Sequence, residues 1–184
     1  MRKLILLAAL AASVSGLLLF GATVPRKAPE FVFTMTDGTQ QLLSQYRGKT
    51  IVLAFMYTTC PHCQHTAQVL TAIQTEYKDR GVQVLGACFD DGAAARTRQF
   101  NLQLGLNFPV GVSAPGSVLE FVQHPVNEPY FVPILVFIDK TGMIRSQYIG
   151  DEKFLNQQET NIRLEIDKML KGSPAAAPKA APKS

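Results

Sequence analysis

Two cysteines, Cys60 and Cys63, enclose a Pro-His dipeptide directly after a long apolar run of the sequence. Proline is favoured in the first turn of a helix, so Pro61 predicts that Cys60 lies at a helix N-terminus. The unpaired N–H groups and the macrodipole at that position stabilise a thiolate, and protonated His62 would add a positive charge. Cys63, one helical turn later, could then attack a mixed disulfide at Cys60. The motif therefore predicts thiol–disulfide exchange, with Cys60 as attacker and Cys63 as resolver.

Metal binding is the main alternative for the same two cysteines. They could form half of a zinc site, but the sequence has no second pair, and only scattered histidines could complete the ligand set. A c-type haem motif needs a histidine directly after the second cysteine, where Gln64 stands. A purely structural disulfide across a helix start would be strained. We therefore expect no metal and no organic cofactor, because the redox-active Cys60–Cys63 disulfide is itself the redox centre.

Strands and helices alternate around this motif. The residues before it form a continuous apolar run, which is typical of a strand buried on both faces. The predicted elements, in chain order, are strand Phe31–Met35, strand Thr50–Tyr57, helix His62–Arg80, strand Val82–Phe89, helix Asp91–Gln103, helix Ser117–Gln123, strand Pro133–Ile138, strand Met143–Gly150 and helix Asp151–Leu170. This pattern predicts an α/β fold with a mixed central sheet and helices on both faces.

The ends of the chain differ in composition from its centre. Residues 4–24 carry no charge and follow two basic residues, so residues 1–27 are predicted to be a signal peptide or an N-terminal membrane anchor. Residues 172–184 consist mainly of proline, alanine and lysine and are predicted to be a flexible tail. The chain between them, residues 28–171, has the length of one domain.

The net charge of +4 comes from the ends of the chain. Of 18 basic and 14 acidic residues, four basic ones are Arg2, Lys3, Lys179 and Lys183, so the central region holds 14 of each sign. A protein that tracks a phosphate backbone needs an excess of basic residues along one surface. The sequence therefore predicts no nucleic-acid partner.

The motif and the elements around it resemble the thioredoxin superfamily, most closely its TlpA/ResA-like thiol–disulfide oxidoreductases. The resemblance covers nearly all of residues 28–171 and is carried by Cys60–Cys63, Leu106–Val110 and Pro133–Gly142. It implies a thioredoxin-like fold with a central insertion before a cis-proline. It also implies protein thiol or disulfide substrates and a redox-recycling partner. The implied location is the bacterial cell envelope, periplasmic or otherwise extracytoplasmic, with membrane contact through the N-terminal segment.

The same resemblance assigns a substrate-binding position. It makes Pro133 the cis-proline that faces the disulfide, with Val132 before it. A cis peptide bond costs little only before proline, and proline has no N–H to donate. The backbone of Val132 would then turn outward, so that a substrate strand could hydrogen-bond beside Cys60.

The resemblance leaves the direction of electron flow open. Pro61 and His62 match the dipeptide of the DsbA-type dithiol oxidases, in which a stabilised thiolate makes the disulfide oxidising. Reducing thioredoxins carry a buried aspartate six positions before the first cysteine, where Ala54 stands here. Members of the TlpA/ResA-like group, by contrast, are often reducing.

A Sco-like copper-binding chaperone for respiratory oxidase maturation is the alternative function, because Phe55–Pro61 resembles the start of its metal-binding loop. That family places three residues between its cysteines, whereas this chain has two, and its copper site would also need His124. Peroxiredoxins need a threonine three positions before the reactive cysteine, where Tyr57 stands. The remaining cysteine, Cys88, ends an interior strand, which is typical of a buried, inert thiol.

Overall fold

One mixed β-sheet organises the part of the chain that the structure, a computed structural model, describes: residues 23–172. The strands within these residues are β1 (Arg26–Lys27), β2 (Val32–Thr34), β3 (Gln40–Leu42), β4 (Thr50–Met56), β5 (Val82–Cys88), β6 (Val110–Val112), β7 (Ile134–Ile138) and β8 (Met143–Ile149). Their order across the sheet is β1-β8-β7-β4-β5-β6-β2-β3. Because β4 pairs parallel with β5 and antiparallel with β7, the predicted mixed sheet is confirmed.

β4 lies in the middle of the sheet and is buried on both faces. Its side chains alternate between two apolar clusters, with Val52, Ala54 and Met56 in the first and Ile51, Leu53 and Phe55 in the second. A strand in this position has no face in contact with water, which accounts for the continuous apolar run in its sequence.

Helices cover both faces of the sheet, as predicted. They are α1 (Pro61–Tyr77), α2 (Ala93–Gln103), α3 (Pro115–Val122), α4 (Glu152–Leu155) and α5 (Gln158–Gly172), with short 3-10 helices at Leu43–Tyr46 and Lys78–Arg80. The first apolar cluster contains buried side chains of α1, α2, α4 and α5, and the second contains those of α3. The strand that leads to Cys60 is therefore held between two helical layers.

Phe55 lies at the centre of the second cluster. Its fully buried ring makes T-shaped contacts with Phe31, Phe121 and Phe89, at centroid distances of 5.1, 5.6 and 6.5 Å. Such pairs contribute about 0.5–1.5 kcal/mol each beyond the area they bury. Through this one side chain, β4 is joined to the segment before β2, to α3 and to the end of β5.

The prediction of one helix over Asp151–Leu170 is wrong, because the structure divides this segment into α4 and α5. Asp151 caps α4, with its Oδ1 accepting from the backbone N–H of Phe154 at 3.0 Å. Asn161 then donates from Nδ2 to the carbonyl oxygen of Phe154 at 2.8 Å, which satisfies a backbone acceptor at the break. The apolar stripe continues through both helices, so its periodicity does not reveal the interruption.

Both ends of the chain lie largely outside the described residues. The sheet begins at β1, two residues before the predicted start of the domain, and the division into 1–27, 28–171 and 172–184 stays a prediction. Among residues 23–172, no helix has both the length and the apolar character that crossing a bilayer requires.

Candidate active site

Cys60 occupies the position at which β4 passes into α1. It is the N-cap residue of that helix and is partly exposed, and its Sγ accepts a hydrogen bond from the backbone N–H of Cys63 at 3.4 Å. Pro61, in the first turn, lacks an N–H that the helix could not have paired in any case. The structure therefore places Cys60 at the helix N-terminus, as the sequence predicts.

Cys63 differs from Cys60 in being fully buried. Its Sγ accepts a hydrogen bond from the backbone N–H of Tyr57 at 3.4 Å, so it packs behind the loop that carries Cys60. Burial raises the pKa of the Cys63 thiol well above its ordinary value. The pair is therefore asymmetric, with a partly exposed sulfur at Cys60 and a fully buried one at Cys63.

A hydrogen-bond network fixes the loop before Cys60. The carboxylate of Asp90 accepts from the backbone N–H of Thr58 at 2.8 Å and from its hydroxyl at 2.7 Å. Arg96 donates to Asp90 at 2.6 Å and to the Thr58 hydroxyl oxygen at 2.9 Å. Burial alone would raise the pKa of Asp90, but the hydrogen bonds from Thr58 and Arg96 outweigh it and lower the pKa below its ordinary value. Because Thr58 is two residues before Cys60, this network fixes the backbone that leads to Cys60.

We expect Asp90→Ala to lower the free energy of unfolding by about 2–3 kcal/mol, because a buried N–H and hydroxyl lose an ionised acceptor. The carboxylate stabilises the fold above its unfolded pKa of about 3.9, and this stabilisation is lost as the pH falls through the lower folded pKa. Urea unfolding at several pH values, with Asp90→Asn as the matched variant, measures both effects. The stability difference between wild type and Asp90→Asn should shrink in acid; a difference that stays constant would contradict the assignment.

The residues predicted to bind substrate lie beside a groove of about 590 Å³. The Val132–Pro133 peptide bond is cis, and Pro133 is buried. Val132 and Phe131 line the groove, opposite Leu155 of α4. Phe131 is 71% exposed, so the groove has an uncovered aromatic wall. Within residues 23–172, the backbone N–H and carbonyl of Val132 make no backbone hydrogen bond, which leaves both free for a bound strand.

Gly150 lies against Phe131, the aromatic residue that lines the groove. Its N–H donates to the carbonyl oxygen of Pro133 at 3.1 Å, and its φ is +55°. A Cβ at this position would lie 2.2 Å from the Cβ of Phe131, far inside van der Waals contact. Only glycine therefore permits both the left-handed backbone and the close approach of Phe131.

Two histidines line the same groove. His62 follows Cys60 by two residues and is exposed, as is His65 one turn later in α1. Behind them, the buried Thr66 hydroxyl donates to Oε1 of Gln158 at 2.7 Å, which joins α1 to α5 at the groove floor. The predicted effect of His62 on the Cys60 thiolate stays a prediction. The sequence interpretation did not single out Thr66 or Gln158, since nothing in their spacing suggests that they meet.

His124 contacts Glu128 and Tyr130. Its Nε2 lies 3.3 Å from the carbonyl oxygen of Glu128, and its ring makes a T-shaped contact with that of Tyr130. In the described part of the chain, no three histidine, cysteine or acidic side chains come together as a metal-binding group. The copper ligand set of Cys60, Cys63 and His124 is therefore not assembled here.

Tyr57, at the position where peroxiredoxins need threonine, is paired with another tyrosine. Its hydroxyl lies 2.7 Å from that of Tyr130, and burial raises the pKa of Tyr57 above its ordinary value. Cys88 is fully buried in the same apolar cluster as Cys63, and burial raises the pKa of its thiol to about 12. Cys88 therefore has the environment of an inert thiol.

Known thiol–disulfide oxidoreductases are similar to this chain in sequence. The AhpC/TSA family model matches residues 24–147. The thiol-disulfide oxidoreductase ResA of Bacillus anthracis is 28% identical over 130 residues, which are 70% of this chain and 71% of the relative. ResA of Geobacillus kaustophilus is 29% identical over 123 residues, which are 67% of each chain.

Solved structures support the fold. A thiol:disulfide interchange protein of the thioredoxin family from Chlorobium tepidum has a TM-score of 0.67 at 19% identity, over 80% of this chain and 98% of its own. A secreted disulfide oxidoreductase of Mycobacterium tuberculosis has a TM-score of 0.58 at 19% identity, over 73% of this chain and 95% of its own.

These findings confirm the thioredoxin-like fold and the prediction of a thiol–disulfide oxidoreductase, and they do not favour the copper chaperone. The match to the family model spans about two thirds of the chain, from before β1 into β8, and includes both cysteines of the motif. The chain belongs to the AhpC/TSA family.

Proposed function

We propose that this protein exchanges the Cys60–Cys63 disulfide with protein substrates on the extracytoplasmic side of a bacterial membrane. The observation that carries the proposal is the asymmetry of the two sulfurs. Cys60 is partly exposed at a helix N-terminus, whereas Cys63 is fully buried one turn later, and the backbone N–H of Cys63 donates to Sγ of Cys60. A nucleophile in front and a resolving thiol behind are what a two-step exchange requires.

The exchange is a balanced two-electron reaction. The Cys60 thiolate attacks one sulfur of a substrate disulfide, and the other substrate sulfur leaves as a thiolate that takes up a proton. Cys63 then loses its proton and attacks Sγ of Cys60, which releases the second substrate sulfur and closes the Cys60–Cys63 disulfide. The substrate gains two electrons and two protons, and the enzyme loses them. Run in reverse, the same steps oxidise a substrate dithiol.

The groove supports an extended polypeptide as substrate. The free backbone groups of Val132 would pair with a substrate strand, while Phe131 and Leu155 offer an apolar contact for its side chains. His62 lines this groove and follows the reacting cysteine by two residues, so a bound substrate would pass close to it. A second redox partner must restore the starting state after each turnover: a dithiol if the substrate is reduced, and a disulfide or other two-electron oxidant if the substrate is oxidised.

The proposed location rests on the sequence. Residues 4–24 are apolar and come after Arg2 and Lys3, a pattern that keeps the N-terminus in the cytoplasm and exports the rest of the chain. The segment would either stay as an anchor, giving membrane contact, or be removed as a signal peptide. In both cases the active site would act in the cell envelope.

The reduction potential tests the function and its direction. Pro61 and His62 match the dipeptide of oxidising DsbA-type proteins, and Ala54 replaces the buried aspartate of reducing thioredoxins. We therefore expect an oxidising role, with a potential less negative than that of thioredoxin, about −270 mV. The measurement is equilibration of the full chain with glutathione buffers, followed by alkylation and mass analysis of Cys60 and Cys63. A more negative potential would contradict an oxidising role. Absence of any exchange with glutathione or with a protein disulfide would contradict the function itself.

A further inference from the structure

A second cavity lies at the end of the sheet opposite Cys60. It has a volume of about 700 Å³ and is lined by residues at the start of β4 and at the β7–β8 turn, among them Lys49, Ile51 and Asp139. β4 has seven residues and leads from this cavity toward Cys60. At ~3.3 Å per residue, the two sites are therefore separated by roughly 20 Å or more of strand.

Positive charge predominates in this cavity. Its walls carry four cationic side chains and two carboxylates: Lys27, Arg47, Lys49 and Lys140, against Glu30 and Asp139. Asp139 is neutralised by Arg145 from outside the cavity, so Glu30 is the one carboxylate left against the four cations. Glu30 accepts from the backbone N–H groups of Phe31 and Ser44, and Asp139 pairs with Arg145.

Of the four cations, only Arg47 interacts electrostatically with Glu30, and an excess of positive charge therefore remains around the cavity. None of them forms a salt bridge within residues 23–172, although six other pairs do. Lys49 makes one long hydrogen bond, 3.3 Å from Nζ to Oε1 of Gln83, and Arg47 is exposed. A guanidinium and several ammonium groups around an open cavity form a site suited to a phosphate group.

The cavity is also close to the end of the predicted apolar N-terminal segment. Lys27 lines the cavity, and Val24, the last residue of that segment, precedes it by three residues. Three residues span at most about 10 Å. If the segment contacts a bilayer, the cations are therefore within reach of its headgroups, whose anionic members attract lysine and arginine.

We propose that this cavity binds the phosphate groups of anionic lipid headgroups and holds the domain with Cys60 directed away from the membrane. The inference rests on the membrane contact in the proposed function, and it adds the ligand class and the orientation. The two ends of β4 would then have separate roles, one facing lipid and the other facing protein substrates.

The test is acetylation of lysines in the full chain reconstituted with vesicles, read by mass spectrometry. Neutral phosphatidylcholine vesicles are compared with vesicles that also contain anionic phosphatidylglycerol, and with neutral vesicles plus inorganic phosphate. We expect Lys27, Lys49 and Lys140 to react about fivefold more slowly in the anionic vesicles than in either other sample. Lys153, on α4 and outside the cavity, should react equally in all three.

A pair of charge-matched variants makes the test specific. In Lys49→Gln/Lys140→Gln, the protection of the remaining reporter Lys27 should be lost. Arg98→Gln/Lys153→Gln, which removes the same charge from exposed positions on α2 and α4 outside the cavity, should retain it. Equal acetylation rates in neutral and anionic vesicles, or equal protection by free phosphate, would overturn the proposal. Flotation with neutral vesicles reports the membrane contact separately, and reduction of insulin disulfides reports the redox function, so the three can fail independently.

Discussion

Cys60→Ala is expected to lower the rate of thiol–disulfide exchange with a protein substrate by about 10³-fold or more, as removal of an attacking nucleophile does in other enzymes. Cys60 is the only cysteine of the three that is not fully buried, and neither of the others can take its place at the helix N-terminus. The measurement is the initial rate of insulin disulfide reduction with a chemical reductant as electron donor.

Cys63→Ala should give a different result from Cys60→Ala, because it removes the second step and not the first. Cys60 would still attack, and the mixed disulfide with substrate should accumulate as a reductant-sensitive band on a non-reducing gel. Cys88→Ala is the matched control, since Cys88 is buried and has no part in the exchange, and it should keep most of the rate. A Cys60→Ala variant that retained substantial activity, or a Cys63→Ala variant that trapped nothing, would contradict the assigned roles.

Phe55→Ala is expected to lower the free energy of unfolding by about 3–5 kcal/mol, the range for aromatic truncation in a close-packed core. Phe55 is fully buried and loses three T-shaped ring contacts at once. Since domains of this size are stable by only about 5–15 kcal/mol, a large part of that stability would be lost. Urea denaturation followed by circular dichroism measures the change.

Phe131→Ala is the matched control for Phe55→Ala, with the same side chain removed from a 71% exposed position. It should change stability by no more than about 0.5 kcal/mol. Because Phe131 lines the groove, it should instead raise the KM for a protein substrate. Similar stability losses in the two variants would mean that Phe55 is not the centre of its cluster.

The central strands and the first helix could be predicted because their sequence patterns are local. An apolar run without alternation identifies β4, and a proline after Cys60 identifies the start of α1. β1, β3 and β6 are two or three residues long and have no periodicity to detect. Their pairing depends on neighbouring strands and not on their own composition.

The Asp90 network could not be predicted, because its members are far apart in the chain. Asp90 lies 32 residues after Thr58, and only the fold brings the end of β5 beside the loop before Cys60. The one available signal was an acidic residue directly after a buried strand, which is equally common in ordinary turns. The same limit applies to Thr66 and Gln158, which are 92 residues apart.

The equal numbers of acidic and basic residues in the central region do not show how these charges are distributed over the protein surface. The central region holds equal numbers of acidic and basic residues, yet four cations, none of them in a salt bridge within residues 23–172, converge on one cavity. The net charge does not reveal this local excess of cations, because the excess depends on which side chains are already paired with a group of opposite charge. The prediction that the protein has no extended basic surface for a nucleic acid is compatible with a single local cavity lined by cations.

The burial of Cys63 and Cys88 also decides how the protein responds to electrophiles. A bulky alkylating agent finds one accessible thiol per folded molecule, at Cys60, and the other two thiols are shielded by packing. Inactivation by such an agent is therefore stoichiometric, because one alkylation at Cys60 inactivates one molecule. The amount of label incorporated then gives the number of molecules that had a reactive Cys60.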